Sequence, residues 1–353
     1  DEKISQQFAD IGAQLGGGVD DDQASFKLRT LSNARERDKA LDLYIKILQH
    51  PDFPEAVLAR EKARVIAGLR EAATQPETIA DKAYSKALFG SHPYGFDAEP
   101  ENIERINRYD VQKFYQQHYG AQGAVIALIG DMSHAQAMQI AEQISLDLPK
   151  ADKPAALPAV AYPTAPFEQR IAHPATQAHI LLGYPGMKRG DPDFFPLYVG
   201  NYILGGGGFV SRLTEEVREK RGLVYSVYSY FMPMAELGQF QIGLQTKRDQ
   251  ADAALSLVRE TLNQFIKGGV TEAELKAAKQ NIVGGFPMRI DSNGKILDYL
   301  GLIGFYHLPL SYLDDFNQNV SKVTSAQIKE AFSRRINPNN MVTVVVGGDE
   351  QSK

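Results

Sequence analysis

The sequence predicts an α+β protein of two like domains in tandem, each a mostly antiparallel sheet with helices packed on one face. Three observations lead there. AVIALIGD (residues 124–131) and MVTVVVGGD (residues 341–349) repeat one strand–Gly–Asp device, at the spacing of a whole domain rather than a short solenoid period. Pro149, Pro154, Pro158, Pro163 and Pro166 punctuate a stretch rich in Ala, Lys and Asp between the two copies. On both sides of it, runs that read as strands are followed by runs that read as helices. The expected division is a first domain over 1–150, a linker over 151–168 and a second domain over 169–353. Proline makes such a linker a semi-rigid spacer, suited to holding two halves as a clam shell.

In the first half, Ile4, Phe8, Ile11 and Leu15 share a helical face, and Gly16 to Gly18 read as that helix's stop. Residues 23–31 alternate and read as a strand. Residues 38–49 are amphipathic through Ala40, Leu41, Tyr44, Ile45 and Leu48, and Pro51 and Pro54 break the pattern. A long helix is expected over 55–73, with Val57, Leu58, Val65, Ile66 and Leu69 apolar. His118 falls at the end of a helix, where a cation suits the dipole. Residues 124–129 read as a buried strand, and Ser133 as the cap of a helix running to about 146.

In the second half, residues 177–184 are expected to form a strand and 194–204 an apolar helix. A further strand is expected over 240–245 and an amphipathic helix over 251–268. Thr271 with Glu274 makes a capping box for the helix after it.

The chain has 353 residues, 43% hydrophobic and 23% charged, with net charge −5 and no cysteine. That composition is globular. It excludes disulfides, thiolate metal sites and a cysteine nucleophile, and the absence of a basic block argues against nucleic acid as the main partner. No apolar run is long enough to span a bilayer.

Chemistry concentrates between residues 203 and 230, ILGGGGFVSRLTEEVREKRGLVYSVYSY. Four glycines (Gly205, Gly206, Gly207 and Gly208) lead into a short helix with Val210, Leu213 and Val217 on one side. Ser211 reads as its N-cap, with Thr214 leaving the capping box incomplete. Gly222, after Arg218, Lys220 and Arg221, reads as its stop. A strand with alternating Val, Ser and Tyr follows. Arg218 and Tyr225 lie seven positions apart across that turn, close enough to offer donors together to a carbonyl oxygen on which charge develops. The local sequence alone favours a plainer reading, in which Arg218 is a solvated helix-end cation and Tyr225 a half-buried strand residue. The glycines precede no Gly-Lys-Ser/Thr and fit no dinucleotide fingerprint, which sets nucleotide binding aside.

The run from Gly205 to Tyr225 resembles the C-terminal half of M16 peptidases, the pitrilysin/insulinase and mitochondrial processing peptidase-like family, of the M16B type. SHPYG (residues 91–95) and the repeated strand–Gly–Asp endings extend the resemblance over nearly the whole chain. It implies two M16-type (LuxS/MPP-like) domains, with Arg218 and Tyr225 at the positions of the family's Arg/Tyr pair and the glycines beside the substrate. It also implies that a half of this family starts several dozen residues earlier, with strands and a helix carrying His-x-x-Glu-His. The sequence opens on Asp1, directly into a helical pattern, and that earlier stretch is expected to precede it.

The third metal ligand of zinc-binding halves, a Glu after a Val-Ile pair, falls here on Leu69, which has no lone pair to give. Glu71 lies about 200° round the helix from it. The seven histidines, at 50, 92, 118, 134, 173, 179 and 307, form no paired zinc motif. No metal is therefore expected in this chain. The resemblance implies the non-zinc subunit of a heterodimeric peptidase, with zinc in an M16 partner and a peptide as substrate. It also implies a periplasmic location, with a cytoplasmic one as the alternative. The rival readings are a catalytically inactive M16-like structural or peptide-binding protein and a self-sufficient zinc peptidase, which Leu69 opposes.

Overall fold

The structure, a computed structural model, describes residues 2–152 and 154–348. The chain forms two compact units. One comprises residues up to 70, 98–156 and 289–308; the other comprises 71–97, 157–288 and 309 onward. These units do not follow the two halves read from the sequence. Each contains a helix from the other half: residues 71–97 pack with the second unit, and 289–308 with the first.

The first unit opens with α1 (Glu2–Asp10), then a hairpin of β1 (Gln14–Val19) and β2 (Ala24–Arg29), antiparallel with Gln14 opposite Arg29. Its turn is an Asx turn, Asp20 Oδ1 accepting from the N–H groups of Asp22 and Gln23. Gly16 to Gly18 therefore lie in a strand rather than ending a helix, because Lys27, Phe26 and Ser25 stand opposite them in the ladder.

Next come α2 (Ala34–Gln49) and α3 (Glu55–Ala72). After them α4 (Pro76–Phe89) belongs to the other unit, and α5 (Pro100–Arg105), α6 (Arg108–His118) and α7 (His134–Ser145) return to the first. Ser133 caps α7 as expected, in a full capping box with Gln136. Phe8, Ala13, Ala40, Tyr44, Ile140 and Ile144 form the core, and Ile126 and Leu128 pack against it. Residues 126–129 are only half-buried, Ala124 and Val125 are exposed, and the segment forms no strand. No ladder among the described residues takes up their alternating N–H and C=O groups, and a strand needs such a partner.

The second unit is built on a sheet of β3 (Phe167–Ala172), β4 (Gln177–Pro185), β5 (Val224–Phe231), β6 (Gln239–Lys247) and β7 (Val342–Gly348). The order is β3-β7-β4-β6-β5, antiparallel throughout except for the β3–β7 pair. Asp349 of the repeated Gly–Asp ending lies outside the described residues. The helices are α8 (Phe194–Asn201), α9 (Ala251–Gly268), α10 (Glu272–Gly285), α12 (Tyr312–Lys322) and α13 (Ser325–Arg335), with α11 (Asn293–Phe305) assigned to the first unit.

Side chains alternate along the strands. Phe231 and Phe240 point to the face where Phe332 of α13 meets both edge-on, and Phe265 of α9 in turn meets Phe332. On the opposite face α4 covers Leu181, Val342, Val344 and Val346 with Ala80, Tyr84 and Leu88. Tyr84 occupies the room left by Gly183, and its hydroxyl donates to the Phe240 carbonyl at 3.3 Å.

The expected linker is not a free spacer along its length. Leu157 and Val160 pack with Tyr94, Met234 and Leu237. The SHPYG loop fastens it: His92 Nδ1 accepts from the Tyr94 N–H, which leaves Nε2 to donate to the Pro158 carbonyl at 2.9 Å.

Candidate functional site

The site lies wholly in the second unit and starts at the end of α8. Asn201 is buried there, donating from Nδ2 to the Ser229 carbonyl of β5 and accepting from the Ser229 hydroxyl at 2.7 Å. This reciprocal pair pins the following turn to the sheet edge. The expected helix over 194–204 stops at Asn201 and widens into a π turn, Tyr202–Gly206, as the chain bends over β5. Gly205 touches that strand so closely that a Cβ would lie 2.4 Å from Ser229 Oγ. It is buried, whereas Gly206 and Gly208 are exposed. Gly208, at φ +62°, starts a single 3-10 turn that turns Phe209 out of the core.

The next helix begins at Ser211, whose hydroxyl accepts from the Thr214 N–H and donates to the Thr214 hydroxyl. Most of it, Thr214–Glu219, is π-helical rather than α, a rare form that is frequent at functional sites. Leu213 and Val217 are fully buried and set its inner side. Arg212 reaches Glu274 at the start of α10 through two parallel bonds, 2.6 and 2.7 Å, and lies over the Phe265 ring. Gly222, at φ +61°, ends the helix by donating to the Arg218 carbonyl at 2.8 Å.

The Arg212 guanidinium pulls the Glu274 carboxyl down to about 2 from its ordinary 4.5. The folded chain keeps this charge after the unfolded chain has begun to protonate it near 4.5. Its contribution is complete above that pH and is lost as pH falls through about 2. The pair stays partly in water, so it is worth about 1 kcal/mol. Glu274→Gln is expected to lower the denaturant midpoint at pH 6 and to differ progressively less from the wild type as the two are titrated towards pH 2. An equal difference at both ends would remove the pair from the stability of this helix.

β5 brings the second site residue. Val224 pairs with Thr246 but Ser226 with Gln245, so Tyr225 is the extra residue of a β-bulge on the sheet's edge strand. A bulge bends the strand and re-aims its side chain, and Tyr225 is 77% exposed rather than half-buried. The Arg218 guanidinium carbon lies over the Tyr225 ring at 5.8 Å and over the Phe209 ring at 4.9 Å. Its nearest acid is Glu219, with Nε 3.7 Å from Oε1. Among the described residues neither the Arg218 guanidinium nor the Tyr225 hydroxyl makes a hydrogen bond. The two residues are therefore neighbours with unengaged donors.

Among the described residues no three His, Asp or Glu side chains gather as a metal would need. Leu69 is part-buried in α3. Leu69, which stands where the resemblance places the third ligand, offers a metal no lone pair. Phe209, Asn201 and the bulge were not anticipated from sequence. The one signal for Phe209 was a large apolar side chain directly after four glycines.

The family follows from comparison with known proteins. Residues 105–282, just over half of the chain, match the model of the Peptidase M16 inactive domain, and the chain belongs to the M16 peptidase family. It is an M16-like protein of the inactive-domain type. The solved M16 inactive domain from Pseudomonas fluorescens is 38% identical and superposes with a TM-score of 0.95, covering 99% of this chain and 84% of that one. An uncharacterized zinc protease of Streptomyces coelicolor is 24% identical over 92% of this chain and 72% of its own. A Helicobacter pylori protein named as a non-peptidase homolog is 25% identical over 98% of this chain and 81% of its own.

Proposed function

We propose that this chain is the substrate-gripping subunit of a two-chain M16B peptidase. It supplies Arg218 and Tyr225 to a peptide whose bond is hydrolysed at zinc held by an M16 partner. The observation that supports this is the adjacency of the guanidinium and the phenol, both with donors unengaged, on an exposed edge of the sheet. The partner's metal site supplies the activated water. Arg218 and Tyr225 donate to the substrate carbonyl and to the oxyanion that forms from it, where prearranged donors act most strongly. The exposed Gly206 and Gly208 leave room for an extended peptide beside the pair.

The test is to mix the chain with a zinc-bearing M16 protein from the same genome and follow cleavage of an internally quenched peptide. Hydrolysis is expected from the mixture and from neither chain alone, with far less than one zinc per isolated chain by metal analysis. Stoichiometric zinc, or turnover by this chain unaided, would overturn the proposal. Peptide binding without turnover in any pairing would favour a second reading, a catalytically inactive peptide-binding protein. The name of the Helicobacter pylori relative points that way.

A further inference from the structure

We infer that Phe209 is a positioning residue for Arg218: its ring holds the guanidinium in place against Tyr225 so that the donors of both converge on one substrate oxygen. This rests on the reading of the Arg/Tyr pair given above. Three observations carry it. Phe209 is 75% exposed, so it adds little to the core. The backbone nevertheless fixes its direction, through the Gly208 φ of +62° and the 3-10 turn closed by the Ser211 N–H on the Gly208 carbonyl at 3.1 Å. The Arg218 guanidinium carbon stands 4.9 Å from the Phe209 ring centroid, nearer than the 5.8 Å to Tyr225.

The chemistry explains why an aromatic ring suits the task. A carboxylate in its place would take the guanidinium's N–H groups and neutralise the charge that the substrate oxygen needs. A ring attracts the cation through its face and leaves the in-plane donors free. It also restricts a long, rotamer-rich side chain before substrate arrives, which reduces the ordering cost in the transition state. Glu219, at 3.7 Å, is the only acid ion-paired with Arg218 among the described residues, and that distance is too long for a hydrogen bond.

The experiment compares Phe209→Leu and Phe209→Tyr in two measurements. The first is the NMR spectrum of the isotopically labelled chain, in which rings stacked on Arg218 shift its Nε–H resonance. Phe209→Leu is expected to move that resonance back towards free arginine and Phe209→Tyr to retain it. An Arg218 resonance indifferent to Phe209→Leu would overturn the clamp, whatever hydrolysis does.

The second is turnover by the chain assembled with its zinc-bearing partner on a quenched peptide. Phe209→Leu is expected to lower kcat about tenfold with KM little changed, Phe209→Tyr to restore it, and the loss to vanish in an Arg218→Gln background, which carries no cation for the ring to hold. An equal loss in that background, or no loss at all, would overturn the positioning role. Unchanged turnover in Arg218→Ala would instead sink the reading of the pair itself. The spectrum would still decide whether the clamp exists.

Discussion

Tyr225→Phe is expected to lower peptide hydrolysis by the assembled pair about 10²–10³-fold, the usual cost of losing one oxyanion donor. The substitution removes one hydroxyl from a residue that is 77% exposed and hydrogen-bonded to nothing among the described residues. The fold therefore loses nothing with it, and assembly and thermal midpoint are expected to stay as they were. The ring remains, so its contact with the Arg218 guanidinium remains too. Steady-state kinetics check the prediction: kcat and kcat/KM should fall nearly together, the mark of a donor that holds the oxyanion far more strongly than the ground-state carbonyl. Unchanged turnover would remove the hydroxyl from the chemistry.

The second large effect concerns stability. Tyr84→Ala is expected to cost about 3–5 kcal/mol, the range for emptying a buried aromatic site. Tyr84 is 1% exposed and stands between α4 and the strands, packed with Leu181, Val342, Val344 and Val346. Burial raises the pKa of its phenol well above the ordinary value, so it stays neutral and serves as a donor to Phe240. Tyr84→Phe keeps the ring and loses only that bond, so its cost is expected to be about 1 kcal/mol. Urea unfolding checks both; a loss in Tyr84→Ala no larger than in Tyr84→Phe would mean that α4 is not held by this ring.

The parts of this structure legible in the sequence are those governed by local rules. The helices over 38–49, 55–73 and 251–268 follow from apolar periodicity, and the cap at Ser133 and the box at Thr271 from side chains that reach only three residues. The nearness of Arg218 and Tyr225 was open to local reading but not favoured by it; the family resemblance is what put the two forward as a pair. A helix stop at Gly222 followed by strand alternation leaves little freedom in the chain between them.

What escaped depends on partners far away in sequence. The bulge at Tyr225 is a mismatch of register with β6, and nothing within residues 224–231 encodes it. The segment 124–129 has a strand's composition, but pairing is decided elsewhere. Gly16 to Gly18 looked like a stop because glycine is a poor helix former, yet the ladder with β2 recruits them. The apolar face of α4 shows that the helix must be covered without showing which sheet covers it. Phe209 has no periodic neighbours, and its direction comes from one backbone angle at Gly208.

The docking of α4 bears on how the chain is made. Synthesis runs from the N-terminus, so Ala80, Tyr84 and Leu88 leave the ribosome long before Val342, Val344 and Val346 exist to meet them. The second unit cannot close its layer until the last strand has been translated. Until then the apolar face of α4 lacks the part of its cover that the valines supply. Contacts this distant along the chain slow folding and prolong the exposure of aggregation-prone surface.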